Sequence, residues 1–123
     1  MPQVTVEIDI IEGESAYSEI QYKGGLLELV DVVLGDTVDD VVTVQIDELI
    51  NPEAAEVDQI WSYRWHTPSG ADGQYFPVGS TTLADGSAGT GEAHIPLRNP
   101  WRIAISGDAT MGSVMVVVSL DQG

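Results

Sequence analysis

From Ile95 to Leu120 the chain changes character every second residue, and that period suits a strand rather than an amphipathic helix. Trp101, Ile103 and Ile105 alternate with Arg102, Ala104 and Ser106, the pattern of a strand with one buried face. Further on, Val114, Val116, Val118 and Leu120 share one face, while Met115, Val117 and Ser119 share the other. Both faces of this last strand are mostly apolar, as in a strand covered on both sides. The two strands read as a hairpin at the centre of the core. Met115 and Val117 then need a cover, either a second layer of the same domain or another subunit. Subunit interfaces resemble a core cut in half, so these two are the candidate interface residues.

The same period recurs upstream. Val4, Val6, Ile8 and Ile10 alternate with Thr5, Glu7 and Asp9, and Val42, Val44 and Ile46 alternate with Thr43, Gln45 and Asp47; both are half-buried strands. Ala16 to Lys23 alternates more loosely and ends at Gly24-Gly25. Leu26 to Leu34 fits two periods. Leu26, Leu27, Val30, Val33 and Leu34 have helical spacing, whereas Val30, Val32 and Leu34 have strand spacing; the β-branched content and the Gly35-Asp36 stop favour a strand. Asn51-Pro52-Glu53 offers a capping residue, a proline for the first helical position and an early carboxylate, the start of one short helix. Ile60 to His66 is a strand with Trp61, Tyr63 and Trp65 on one face. Residues 67–92 turn rich in Gly, Ser and Thr, with short strands expected only at Gln74–Val78 and Ser80–Leu83; a loop region this long is functional or mobile. Seven to nine short strands and one short helix make an all-β, antiparallel β-sandwich of jelly-roll-like plan, in one domain over 1–123.

Charge narrows the partners. Twenty carboxylates face four basic groups, for a net charge of −16 on 123 residues. Such a surface repels phosphates, so nucleic acid is not an expected partner, nor is anionic lipid. It suits high salt, where the Debye length falls to roughly 3 Å at 1 M, or a basic partner, or serves plain solubility. A single lysine, Lys23, resembles the usage of salt-accumulating halophiles. There is no cysteine, so disulfides and thiolate metal sites are excluded. No apolar run approaches the ~18 residues of a membrane span, so membrane insertion is not expected, and MPQVTVEIDI has no signal-peptide character.

No catalytic constellation stands out, and no enzyme activity or cofactor is expected. His66 and His94 are the only histidines and no motif frames them. Ser69 and Asp72 follow His66, yet no nucleophile elbow is present. The closely spaced glycines from Gly86 to Gly91 precede Glu92, the wrong charge for a phosphate loop. Asp36, Asp39 and Asp40 supply hard oxygens for calcium but lack the spacing of a calcium-binding loop. Trp61, Tyr63 and Trp65 form either a sugar-stacking platform, together with the 67–92 loops, or part of the core. Arg64 and His66 on the opposite face favour core.

The closing stretch, AHIPLRNPWRIAISGDATMGSVMVVVSLDQG, resembles the final strand pair of small β-sandwich structural proteins of tailed-virus particles, of head-decoration, turret or tail type. The resemblance covers about a quarter of the chain and carries no residue roles with it. It implies a non-enzymatic virion subunit, assembled in the host cytoplasm, whose partners are copies of itself and other structural proteins of the particle. The acidity would then indicate a halophilic host. The competing expectation is a carbohydrate- or ligand-binding sandwich that uses Trp61, Tyr63 and Trp65.

Overall fold

The computed structural model describes residues 3–67, 72–77, 79–82 and 88–121. Eleven strands run through them: β1 (Gln3–Ile11), β2 (Ala16–Tyr17), β3 (Gly25–Leu34), β4 (Val42–Leu49), β5 (Trp61–His66), β6 (Gly73–Tyr75), β7 (Gly79–Thr82), β8 (Ala88–Ala93), β9 (Ile95–Leu97), β10 (Trp101–Gly107) and β11 (Met111–Asp121). Sheet A has the order β1-β11-β3-β6, with β9 also paired to β3; sheet B has the order β2-β10-β4-β5; β7 and β8 form a separate two-stranded ribbon. All pairings are antiparallel. The all-β sandwich is therefore as expected, with more strands than the seven to nine read from the sequence. The excess comes from β8, which falls in the glycine-rich stretch, and from β9, split from β10 by Arg98-Asn99-Pro100.

Alternation supplies the core. Val30 and Val32 from β3 and Val114, Val116, Val118 and Leu120 from β11 face Val42, Val44 and Ile46 from β4 and Trp101 and Ile103 from β10, all of them buried. Burying such a side chain stabilises the fold by about 1.5–3 kcal/mol relative to exposure.

β10 and β11 do not form a hairpin. They lie in opposite sheets, β10 between β2 and β4 and β11 between β1 and β3, so the turn between them is an arch that crosses the sandwich. A second crossing, Gly35 to Val41, links β3 to β4, and the two meet. Gly107 (φ +123°) and Gly112 (φ +112°) border the first arch. A Cβ at Gly107 would lie 2.3 Å from the Val41 carbonyl oxygen, and one at Gly112 would lie 2.6 Å from the Val38 backbone, so only glycine fits at either place.

The single helical element among the described residues is a 3-10 turn at Glu56–Asp58, not a helix begun at Pro52. Asn51 does not cap it. Its side-chain oxygen accepts a hydrogen bond from the Ile60 N–H (2.7 Å), and its amide donates to the Asp58 carbonyl (3.0 Å). The asparagine thus closes a loop that a helix would have opened. Ala16 to Lys23 forms only the two residues of β2, followed by a bridge from Gln21 to Trp101.

Candidate functional site

The aromatic row of β5 is divided between two faces. In the pairing with β4, Asp47 opposes Tyr63 and Ile46 opposes Trp65, so Arg64 is an extra, bulged residue. A bulge reverses the facing of every residue beyond it. Trp65 therefore turns inward, packs against the core and meets the Tyr75 ring at 5.9 Å between centroids. Trp61 and Tyr63 stay outside, and Tyr63 is 52 % exposed. The expectation of three aromatics on one face is corrected on this point.

The outer face of sheet B gathers residues that no spacing along the chain groups. The Arg102 guanidinium carbon lies 4.0 Å from the Tyr17 ring centroid and 4.1 Å from that of Trp61. The two rings, from β2 and β5 at opposite edges of the sheet, thus clasp a cation from β10 between them, a favourable use of the π faces. Asp47 stands beside it with Oδ2 3.9 Å from Arg102 Nε and receives a hydrogen bond from Gln45 (2.6 Å). Arg102 Nε is buried and has no hydrogen-bond partner. Tyr63 and His66 follow along the same face, with rings 5.4 Å apart. His94 is exposed, and Ser69 lies outside the described residues.

The outer face of sheet A carries the other candidate. Cross-strand rows place Glu7, Met115 and Val33 side by side, then Thr5, Val117, Asp31 and Gln74, with Ile11 beside Met111 at the end of the sheet. Met115 is 41 % exposed, Val33, Met111 and Ile11 are slightly more so, and Val117 is half-buried. Among the described residues no second layer covers Met115.

The acidic stretch 36–40 serves the arches. Asp39 Oδ2 accepts from the Thr110 hydroxyl (2.6 Å), and Oδ1 accepts from the Thr110 N–H (2.8 Å) and the Met111 N–H (3.2 Å). Asp40 accepts from the Val41 N–H at 2.7 Å. Among the described residues no group of three His, Asp or Glu side chains is arranged to hold a metal ion. The Thr110 hydroxyl, then the Thr110 and Met111 N–H groups, hold the Asp39 carboxyl below its ordinary value of 3.8, because each bond favours the ionised form. A carboxyl whose folded pKa is depressed contributes stability above its unfolded pKa and loses it as pH falls through the folded value. Asp39→Asn is therefore expected to destabilise at neutral pH and to lessen the loss of stability as pH drops below about 4, read by urea denaturation across that range. An unchanged acid limb would remove this role.

No helix among the described residues is long and apolar enough to cross a membrane. Comparison with known proteins finds no matching family model, no matching curated protein and no matching solved structure.

Proposed function

We propose that the chain is a non-enzymatic structural subunit of a larger assembly, of the virion type (capsid decoration, turret or tail) and adapted to high salt. It would assemble with copies of itself and with other structural proteins of the particle. The observation that carries the reading is the outer face of sheet A, where Met115, Val33 and Val117 occupy adjoining positions on two interior strands with no covering layer among the described residues. Exposed apolar patches rimmed by charge mark interaction sites in soluble proteins. Glu7, Asp9 and Asp31 share that face, so copies packed on it would repel at low salt and associate once screening is short-ranged. A second reading, a carbohydrate- or ligand-binding module, is favoured by one observation: Trp61 and Tyr63 face outward beside Tyr17 and Arg102.

Light scattering separates the two. The expected mass at molar salt is a multiple of 13.1 kDa, growing with salt and falling toward one copy in Met115→Glu. A monomer at every salt concentration overturns assembly. If tryptophan fluorescence of that monomer also shifts on adding a neutral oligosaccharide, the second reading takes its place.

A further inference from the structure

β1 is the open edge of sheet A. Its nine residues pair with β11 in unbroken register from Gln3–Ser119 to Ile11–Met111, and its other edge pairs with no strand among the described residues. Edge strands are usually protected by proline, lysine or a bulge. Gln3–Ile11 contains no proline, lysine, arginine or glycine, and no bulge interrupts it; its protection is limited to two carboxylates, Glu7 and Asp9, both exposed. Beside it runs a groove of about 390 Å³ lined by Val4, Val6 and Glu7 on one side and Tyr17, Ser18 and Gln21 on the other. The half-buried Val4 and Val6 pack against the core from this edge.

We propose that β1 is the joining edge between two copies of this chain, paired antiparallel across a two-fold axis at Val6. The strand's own charge pattern selects the partner and the register. With Val6 opposite its symmetry mate, Glu7 meets Thr5 and Asp9 meets Gln3 on the solvent face, while Val4 meets Ile8 on the inner face. Every carboxylate thus opposes a neutral hydrogen-bonding side chain. Moving the axis to Glu7 sets Glu7 against itself, and moving it to Ile8 sets Glu7 against Asp9, both unfavourable as like charges directly opposite. Moving it toward Gln3 shortens the overlap. A two-fold interface requires such self-complementarity. The inference rests on the self-assembly reading above but concerns a different surface from the Met115 face.

The absence of native cysteine makes cross-linking a clean test. Directly opposed Cα atoms in an antiparallel pair are about 4.5–5.5 Å apart, within the 4.4–6.8 Å reach of a disulfide; diagonal neighbours are roughly 7–8 Å apart. Under mild oxidation Val6→Cys is expected to give a disulfide-linked dimer as the main species. Thr5→Cys alone should give little, and so should Glu7→Cys alone, whereas a mixture of the two should cross-link. The Thr5 and Glu7 positions are exposed, so these variants keep the test valid if Val6→Cys fails to fold. Equal cross-linking by all three single variants indicates random collision and overturns the register. Absence of cross-linking in every cysteine variant, while the wild type still has oligomeric mass, overturns the edge pairing and leaves the assembly reading in place. A monomeric wild type overturns both.

Discussion

Trp101→Ala is expected to cost the fold about 3–5 kcal/mol, the range for removing a large buried aromatic. Trp101 is completely buried at the start of β10. Three separate ties meet there. Its side chain belongs to the inner face of the sandwich; its indole N–H donates to the Lys23 carbonyl at 2.9 Å; and its backbone exchanges two hydrogen bonds with Gln21. The last two fasten the segment after β2 to sheet B, beyond the pair of bonds that Ser18 makes with the Ile103 backbone, where β2 itself is only two residues long. Against a total stability of roughly 5–15 kcal/mol for a domain, the loss would bring the variant close to unfolding at 25 °C. Trp101→Phe separates the contributions. It keeps most of the apolar burial and loses the indole donor, so it should cost about 1–3 kcal/mol as the Lys23 carbonyl loses its partner. The midpoints of urea denaturation measure both, and a Phe variant as unstable as the Ala variant would show that volume is not what matters at this position.

Glu48→Ala is expected to be comparably damaging, about 3–5 kcal/mol, for an electrostatic reason. Glu48 is buried, yet its carboxylate is fully used. One oxygen accepts from the Arg98 N–H (2.6 Å) and the Asn99 N–H (2.9 Å), and the other lies 2.9 Å from Arg64 Nη2. The carboxylate thus organises the connection from β9 to β10 and holds the bulged residue of β5. Removing it leaves two backbone donors without their acceptor and frees the part-exposed Arg64 guanidinium. Arg64→Ala should cost clearly less, because Arg64 is 39 % exposed and the carboxylate would keep its two N–H donors. Glu48→Gln should fall between them, with one neutral acceptor left for the turn. Denaturation midpoints that rank Arg64→Ala as the worst of the three would contradict this account.

The strand pattern was legible wherever a strand runs regularly, and it misled wherever one bulges. In β3, Leu27 and Val30 both face the core although they are three positions apart, because the register with β11 slips between Leu27 and Leu29. That slip produces the helix-like spacing seen in the sequence. In β5 the extra residue Arg64 divided an aromatic row that period 2 places on one face. A bulge is a property of two paired strands, and neither partner announces it alone. The Tyr17, Arg102 and Trp61 cluster was hidden for the same kind of reason: its members come from three strands and meet only through the order of sheet B. Asp39 stands out in the sequence for its charge alone, and its use depends on the meeting of two arches. The apolar outer positions Met115 and Val117 were legible in advance, since a single strand suffices to show two apolar faces.

The placement of β11 also sets an order of events. It is the strand between β1 and β3, joined to the first across pairs as remote as Gln3 and Ser119 and to the second as far as Val114 and Leu34. A nascent chain emerging at ~5–20 residues per second presents both flanking strands before their common neighbour exists. Sheet A therefore cannot close by zipping outward from a local turn. It closes by capture of the last strand into a waiting slot, a non-local step of the kind that places all-β folding in milliseconds to seconds. Through that interval the edges of β1 and β3 that β11 will occupy stay open, and the carboxylates Glu7, Asp9 and Asp31 along them give the unfinished chain its protection against pairing with the wrong strand.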